Sequence, residues 1–369
     1  MKVRLTTLLF LFIFFTANAQ TTGDQKTSSF NPTIKFKGLV HARFENSLTD
    51  SVDVTGKFNA NPTQSNFQIR RLELRADIAL NQRWSGVIRI QFPALKTANP
   101  GAALELAYFQ WKLNDMFLIR GGQMKVPYEL DELTSHEDLR MIDRGTTSRL
   151  LTSNSLSSYQ PGLMIQGTFM KETTPLTYYA GVFNGSDRSV ITDKNTAKNF
   201  VGRVEFNPVK SLRLAVNAES APFGTDASGG SAGGDVSWIQ KLNDKLQLIV
   251  EGEYIGGTNI SSYNSSSDSA KEVKDYALTG YFGQALLRIK LDQPWCRTFE
   301  AGGKFEHTDP TEKSDLDAFN TITGGIGFIF LPDNDARLQL NVIQTNYEEE
   351  ITGVQKNNLM LVMQLQLKI

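Results

Sequence analysis

Along most of this chain apolar and polar residues alternate one by one. From Ile34 to Asn46, Ile34, Phe36, Val40, Ala42 and Phe44 take one parity, and Lys35, Lys37, His41, Arg43 and Glu45 take the other. From Leu72 to Leu80, Leu72, Leu74, Ala76, Ile78 and Leu80 share a face opposite Glu73, Arg75 and Asp77. The last stretch sets Leu359, Leu361, Met363, Leu365, Leu367 and Ile369 against Gln364, Gln366 and Lys368. Period two is the signature of a strand with one apolar face; an amphipathic helix cannot produce it. Read this way, the chain holds about sixteen strands, at 34–46, 67–80, 83–92, 104–113, 116–126, 161–171, 175–184, 199–207, 211–220, 235–242, 245–255, 275–291, 297–307, 321–331, 335–347 and 357–369.

The connections carry more than the strands do. Turns as short as Asn81-Gln82 and Asn114-Asp115 follow every even-numbered strand through the fourteenth, Pro332 to Asn334 being the last. Nearly all the others are longer and polar: 47–66, 93–103, 127–160, 185–198, 221–234, 256–274, 308–320 and 348–356. Short turns on one rim and long loops on the other predict an all-β fold, a transmembrane antiparallel β-barrel with turns in the periplasm and loops outside. A soluble sandwich has no reason to keep that parity along the whole chain.

The N-terminal segment changes the picture in one respect. Lys2 and Arg4 precede an apolar run from Leu8 to Phe15, and Ala17-Asn18-Ala19 supplies small residues for cleavage. This predicts a signal peptide over 1–19, a short extension over 20–33, and the barrel over 34–369. The run is about half what a spanning helix needs, and no later apolar stretch is long enough to cross a bilayer as a helix. The chain carries 38 Lys+Arg against 39 Asp+Glu. Without Lys2 and Arg4 the balance becomes 36 against 39, with no basic excess for a nucleic-acid backbone. One cysteine excludes an intrachain disulfide and a Cys-cluster metal site.

Four segments also resemble a known family, in the same order. Phe67-Gln68-Ile69-Arg70-Arg71, Gly122-Gln123-Met124-Lys125-Val126-Pro127-Tyr128, Gly181-Val182-Phe183-Asn184-Gly185 and Gly202-Arg203-Val204-Glu205-Phe206-Asn207-Pro208 are similar to the recurrent segments of the phosphate-selective porin O and P family. The resemblance runs from about Ile34 to Ile369. It implies a sixteen-stranded outer-membrane barrel of a Gram-negative bacterium, a homotrimer, passing small anions through a basic constriction. Two positions depart from the pattern. The chain ends in Ile369 where outer-membrane barrels commonly end in an aromatic, and Gln160-Pro161 stands where many members carry an arginine before the glycine.

If lipid takes the apolar parity, the charged parity lines a water-filled lumen. On that rule Arg71, Arg75, Arg89, Arg203, Arg213, Arg288 and Lys304 point inward, together with Glu73, Asp77, Glu205, Glu251, Glu253, Glu300 and Glu306. Lys125, on the strand entering the longest loop, is a further lumen candidate. Fixed guanidinium groups in a narrow pore attract anions, whereas a cross-strand pair with a neighbouring carboxylate merely braces the wall. Loop 127–160 is the third external loop, which in porins commonly folds inward. It carries more acid than base, including Asp138, Arg140, Asp143 and Arg144, and facing a basic wall it would set up a transverse field.

Catalysis finds no footing. No Ser occupies a G-x-S-x-G elbow, and His41, His136 and His307 show no metal spacing and read as solvated. No cofactor, metal or enzymatic activity is expected. Trp84, Trp111, Trp238 and Trp295 adjoin short turns, as an interfacial girdle against outer-membrane lipid would. Cys296 reads as inert, and the Ser/Gly-rich stretches 226–234 and 261–269 read as mobile external loops. The expected function is passive diffusion of small hydrophilic, preferentially anionic solutes. A barrel plugged by loop 127–160, or a non-selective porin, stays open as an alternative.

Overall fold

The computed structural model describes residues 31–369, apart from 98–99, 194–195, 224–226, 292, 315, 352 and 355. The predicted signal peptide and most of the predicted extension lie outside the described residues. Sixteen antiparallel strands form one closed barrel: β1 (Thr33–Ser47), β2 (Ser65–Ala79), β3 (Trp84–Gln91), β4 (Leu104–Asn114), β5 (Phe117–Lys125), β6 (Tyr159–Phe169), β7 (Leu176–Phe183), β8 (Asn199–Val209), β9 (Leu212–Phe223), β10 (Ala227–Lys241), β11 (Leu246–Thr258), β12 (Ala277–Lys290), β13 (Thr298–Asp309), β14 (Phe319–Ile329), β15 (Ala336–Tyr347) and β16 (Asn358–Lys368). Each strand pairs with its chain neighbours, and β1 closes the barrel on β16, with Val40 opposite Leu367 and Phe44 opposite Met363. Closure gives every strand two partners, so no row of backbone N–H and C=O groups is left in lipid.

Burial is inverted relative to a soluble protein. On β16, Leu365 is 51% exposed while Gln364 and Gln366 are 2% exposed. On β1, His41, Arg43 and Glu45 are buried, whereas Phe36 is 69% exposed. The apolar parity faces outward and the polar parity lines the inside. Among the described residues no helix is long and apolar enough to cross a membrane. Trp84 and Trp111 are paired across β3 and β4 beside the short turns, ring centroids 6.4 Å apart, and Trp238 and Trp295 are exposed at the same rim.

One expected loop is strand. β9 runs to Phe223 and β10 begins at Ala227, so most of the connection expected over 221–234 is strand, and the Gly/Ser-rich stretch from Ala227 to Gly234 lies in the sheet. Its glycines serve close backbone approach: a Cβ on Gly230 would lie 2.2 Å from the carbonyl oxygen of Glu219. The other such stretch, expected over 261–269, includes most of a short helix, α3 (Ile260–Ser265), capped by the Asn259 side chain, which accepts from Ser262 N at 3.0 Å.

Candidate functional site

The chain from 126 to 158, here L3, leaves β5 and crosses the barrel interior before re-entering at β6. It contains two short helices, α1 (Leu130–Leu133) and α2 (Thr146–Ser153). Inward side chains of the wall hold it at nearly every step. The Tyr128 carbonyl accepts from Arg203 on β8 at 2.6 Å and Asn217 on β9 at 2.8 Å. Leu130 N donates to Glu253 on β11 at 2.7 Å, and Lys304 on β13 pairs with Asp131 at 3.2 Å. Arg140 reaches Glu251 on β11 at 3.1 Å, and Arg337 on β15 donates to the Leu139 carbonyl at 2.9 Å. His136 meets Glu73 on β2 at 2.5 Å. Even the short-turn rim takes part, since Asn334 donates to Asp138 Oδ1 at 3.2 Å. Gly145 is confined there, because a Cβ would lie 2.1 Å from Glu306 Oε1.

Most of the expected lumen cations are spent on this framework. Arg203 pairs with Asp235 at 2.7 Å and Glu205 at 2.8 Å, and Arg213 shares Asp235 at 3.3 Å. Arg288 pairs with Glu300, and Arg89 with Glu105 at 3.0 Å and Glu73 at 3.6 Å. Lys125 donates to the carbonyls of Glu132, Leu133 and Thr134 at the end of α1. Arg144 pairs with Glu132 at 3.1 Å and donates to the Thr134 carbonyl at 2.8 Å. Arg75 pairs with Asp77 at 2.6 Å and lines a cavity other than the one Arg71 lines.

Arg71 is different, and the residues around it form the candidate site. Between the β2–β3 wall, L3, residues 93–97, Ala102 and Arg188 lies a cavity of about 520 Å³ on the long-loop side. It is lined by Arg70, Arg71, Arg144, Arg149 and Arg188 against Glu105, Glu132 and Asp143. Arg188 is committed to Glu105 at 2.7 Å and lies over the Tyr159 ring, 4.4 Å from its centroid. Among the described residues, Arg70, Arg71 and Arg149 have no carboxylate within ion-pair distance, and Arg71 has only His41 Nδ1, at 3.4 Å. Asp143 faces this group and is held by Arg43 through two contacts of 2.9 Å. Burial alone would raise the Asp143 carboxyl; the charges of Arg43 and Arg70 outweigh it and hold the group well below the usual carboxylate range.

Two β-bulges aim charged residues at this cavity. The β1–β2 register shifts between His41 opposite Arg71 and Ala42 opposite Ile69, leaving Arg70 unpaired. The β3–β4 register shifts between Arg89 opposite Leu106 and Ile90 opposite Leu104, leaving Glu105 unpaired. A bulge re-aims a side chain without breaking the sheet. Arg43, Arg70, Arg149 and Arg188 were absent from the expected site. The signal for Arg70 is present in the sequence: the apolar parity switches from Phe67 and Ile69 to Leu72 and Leu74 across it.

His41 and His136, expected to be solvated, are buried in the lumen network, because the interior of this barrel is polar and filled by L3. Burial and the neighbouring Arg71 and Arg144 charges keep His136 far below the usual histidine range, so it stays neutral. Its ring, Glu73 and Glu105 bring their donor atoms within 4.8 Å of one another, a set that could coordinate a metal ion. Arg89 already contacts both carboxylates, so a guanidinium supplies the positive charge there.

A closed barrel with an apolar outer belt, a polar interior and an inward third loop defines an outer-membrane channel. The family model of phosphate-selective porin O and P matches residues 42–231, and the chain belongs to that family. No curated protein matches it. Its fold is that of solved porins. The outer membrane channel DcaP of Acinetobacter baumannii is 14% identical with a TM-score of 0.59, covering 92% of this chain and 97% of its own. The trimer form of OmpT of Vibrio cholerae is 9% identical with a TM-score of 0.57, covering 92% and 99%. The anion-selective porin from Comamonas acidovorans is 10% identical with a TM-score of 0.56, covering 92% and 100%.

Proposed function

We propose that this protein is a passive diffusion channel of a Gram-negative outer membrane, delivered by its N-terminal signal segment, that prefers small phosphate-like anions. The observation that carries the preference is the group Arg70, Arg71 and Arg149, unmatched by carboxylates at a water-accessible cavity beside L3. An anion losing hydration at a narrow level must regain that energy from fixed positive charge. Loop charges farther than about 8 Å from the path are screened at physiological salt. A homotrimer fits the assembly, since the similar OmpT structure is a trimer form.

The test is the reversal potential of purified channels in a salt gradient. Arg71→Ala lowers the anion-to-cation permeability ratio by roughly fivefold, the effect of losing about 1 kcal/mol of attraction. Lys57→Ala, in the exposed first loop, leaves it unchanged. Equal small effects from both would make the channel a general porin. A second reading, a plugged binding barrel, draws on the contacts of L3 with β1, β2, β8, β9, β11, β13 and β15. Absence of stable conductance steps would favour it.

A further inference from the structure

The contact between Asp143 and Arg43 has an unusual form for a loop anchor. Nη1 and Nη2 of Arg43 each donate to a different oxygen of Asp143, both at 2.9 Å. This is the two-pronged geometry with which a guanidinium takes a free carboxylate or phosphate. Most other ties of L3 involve its backbone carbonyls and amides or buried side chains such as Asp131 and His136, Asp138 on Asn334 being an exposed exception. The Asp143 side chain remains 25% accessible, on the wall of the cavity that Arg70 and Arg71 also line.

Departure of Asp143 would leave Arg43 its other partners. Arg43 keeps Glu45 at 3.1 Å and Gln364 at 2.9 Å, and the following and preceding parts of L3 stay fastened through Thr146 on Glu306 and Leu139 on Arg337. An anchor whose loss leaves no buried group unpaired is cheap to release. Arg70 and Arg71 line a cavity of about 520 Å³, enough for a small hydrated anion, and Arg43, released from Asp143 on its wall, would add a third guanidinium behind it.

We propose that Asp143 is a tethered competitor: its carboxylate holds Arg43 beside the unpaired Arg70 and Arg71, and a solute oxyanion must displace it to take all three guanidiniums. This rests on the anion-channel reading and deepens it. Occupancy by an internal carboxylate keeps the resting affinity low, so a solute that enters can also leave, which conduction requires.

Calorimetric titration of the purified channel in detergent, with inorganic phosphate and separately with acetate, reads the site whether or not the barrel conducts. Asp143→Asn and Asp143→Ala should tighten at least one anion about tenfold over wild type, and adding Arg43→Gln to either should abolish the gain. The arm that responds more distinguishes tetrahedral from planar oxyanions. Retention of the heat-modifiable gel shift certifies the fold. Unchanged affinity in both single variants overturns the proposal, as do larger conductance steps without tighter binding, which would mark Asp143 as a loop anchor alone. Failure of the channel reading shows separately, as missing conductance alongside intact binding.

Discussion

The two sides of the lumen use the same residue type in opposite ways. On the β8–β10 and β13–β15 side, Arg203 and Arg337 are each 1% exposed and matched: Arg203 by Asp235, Glu205 and the Tyr128 carbonyl, Arg337 by Glu300 at 2.5 Å and the Leu139 carbonyl. On the β2 side, Arg70 and Arg71 meet no carboxylate within ion-pair distance and face a cavity. A matched guanidinium contributes little net field and much rigidity. An unmatched one does the reverse. Counting inward arginines therefore says little about ion preference; on the proposed function, the unpaired minority sets it.

The largest effect should come from breaking the matched side. Arg203→Ala leaves Asp235 with only Arg213, at 3.3 Å, and frees the Tyr128 carbonyl from one of its donors. The expected cost is about 3–5 kcal/mol, seen as a lower temperature for loss of the fast-migrating unheated band, with the reversal potential of surviving channels unchanged. A reversal-potential shift as large as that of Arg71→Ala would erase the distinction between the two sides.

A second test uses pH on the fastened limb of L3. Burial first, and then the charge of Glu132, push the Glu129 carboxyl up to about 8. A carboxyl whose folded value is raised contributes stability that is fully present below its ordinary value of 4.5 and is lost as pH rises through about 8. Moving from pH 6 to pH 9 should speed amide exchange around 128–132 by about tenfold beyond the intrinsic pH effect. Glu129→Gln should flatten that response, and the cavity side should show none. An equal response in wild type and Glu129→Gln would assign it to another group.

The smallest effect is expected at Arg75. It is one-third exposed, paired with Asp77, and lines a different cavity, beside Asp333 and Lys368. Arg75→Ala should cost under about 1 kcal/mol and leave the permeability ratio within error. A drop matching Arg71→Ala would extend the unmatched group down the barrel.

Much of the fold was legible because its causes are local. Each membrane-crossing segment meets lipid on one side and water on the other, so period two is written into every stretch that crosses, and short turns alternate with long loops on opposite rims. The reading failed at 227–234, where glycine looked like flexibility and instead lets adjacent strands approach. The candidate site was half legible. Arg71, Asp143 and Arg144 were found by parity and by the loop's length. Arg70 was passed over although the switch of apolar parity across it marks a bulge.

The sequence by itself determined the barrel, its strand number and the side most strand charges face, because alternation and turn length act over a few residues. Only the tertiary structure decided which charges are spent. Arg43 finds Asp143 a hundred positions away, and Arg337 finds Leu139 across 198. Such pairings exist only once the barrel has closed and L3 has crossed it. No local pattern encodes that distance, and the net charge of the cavity is what remains after those pairings are made.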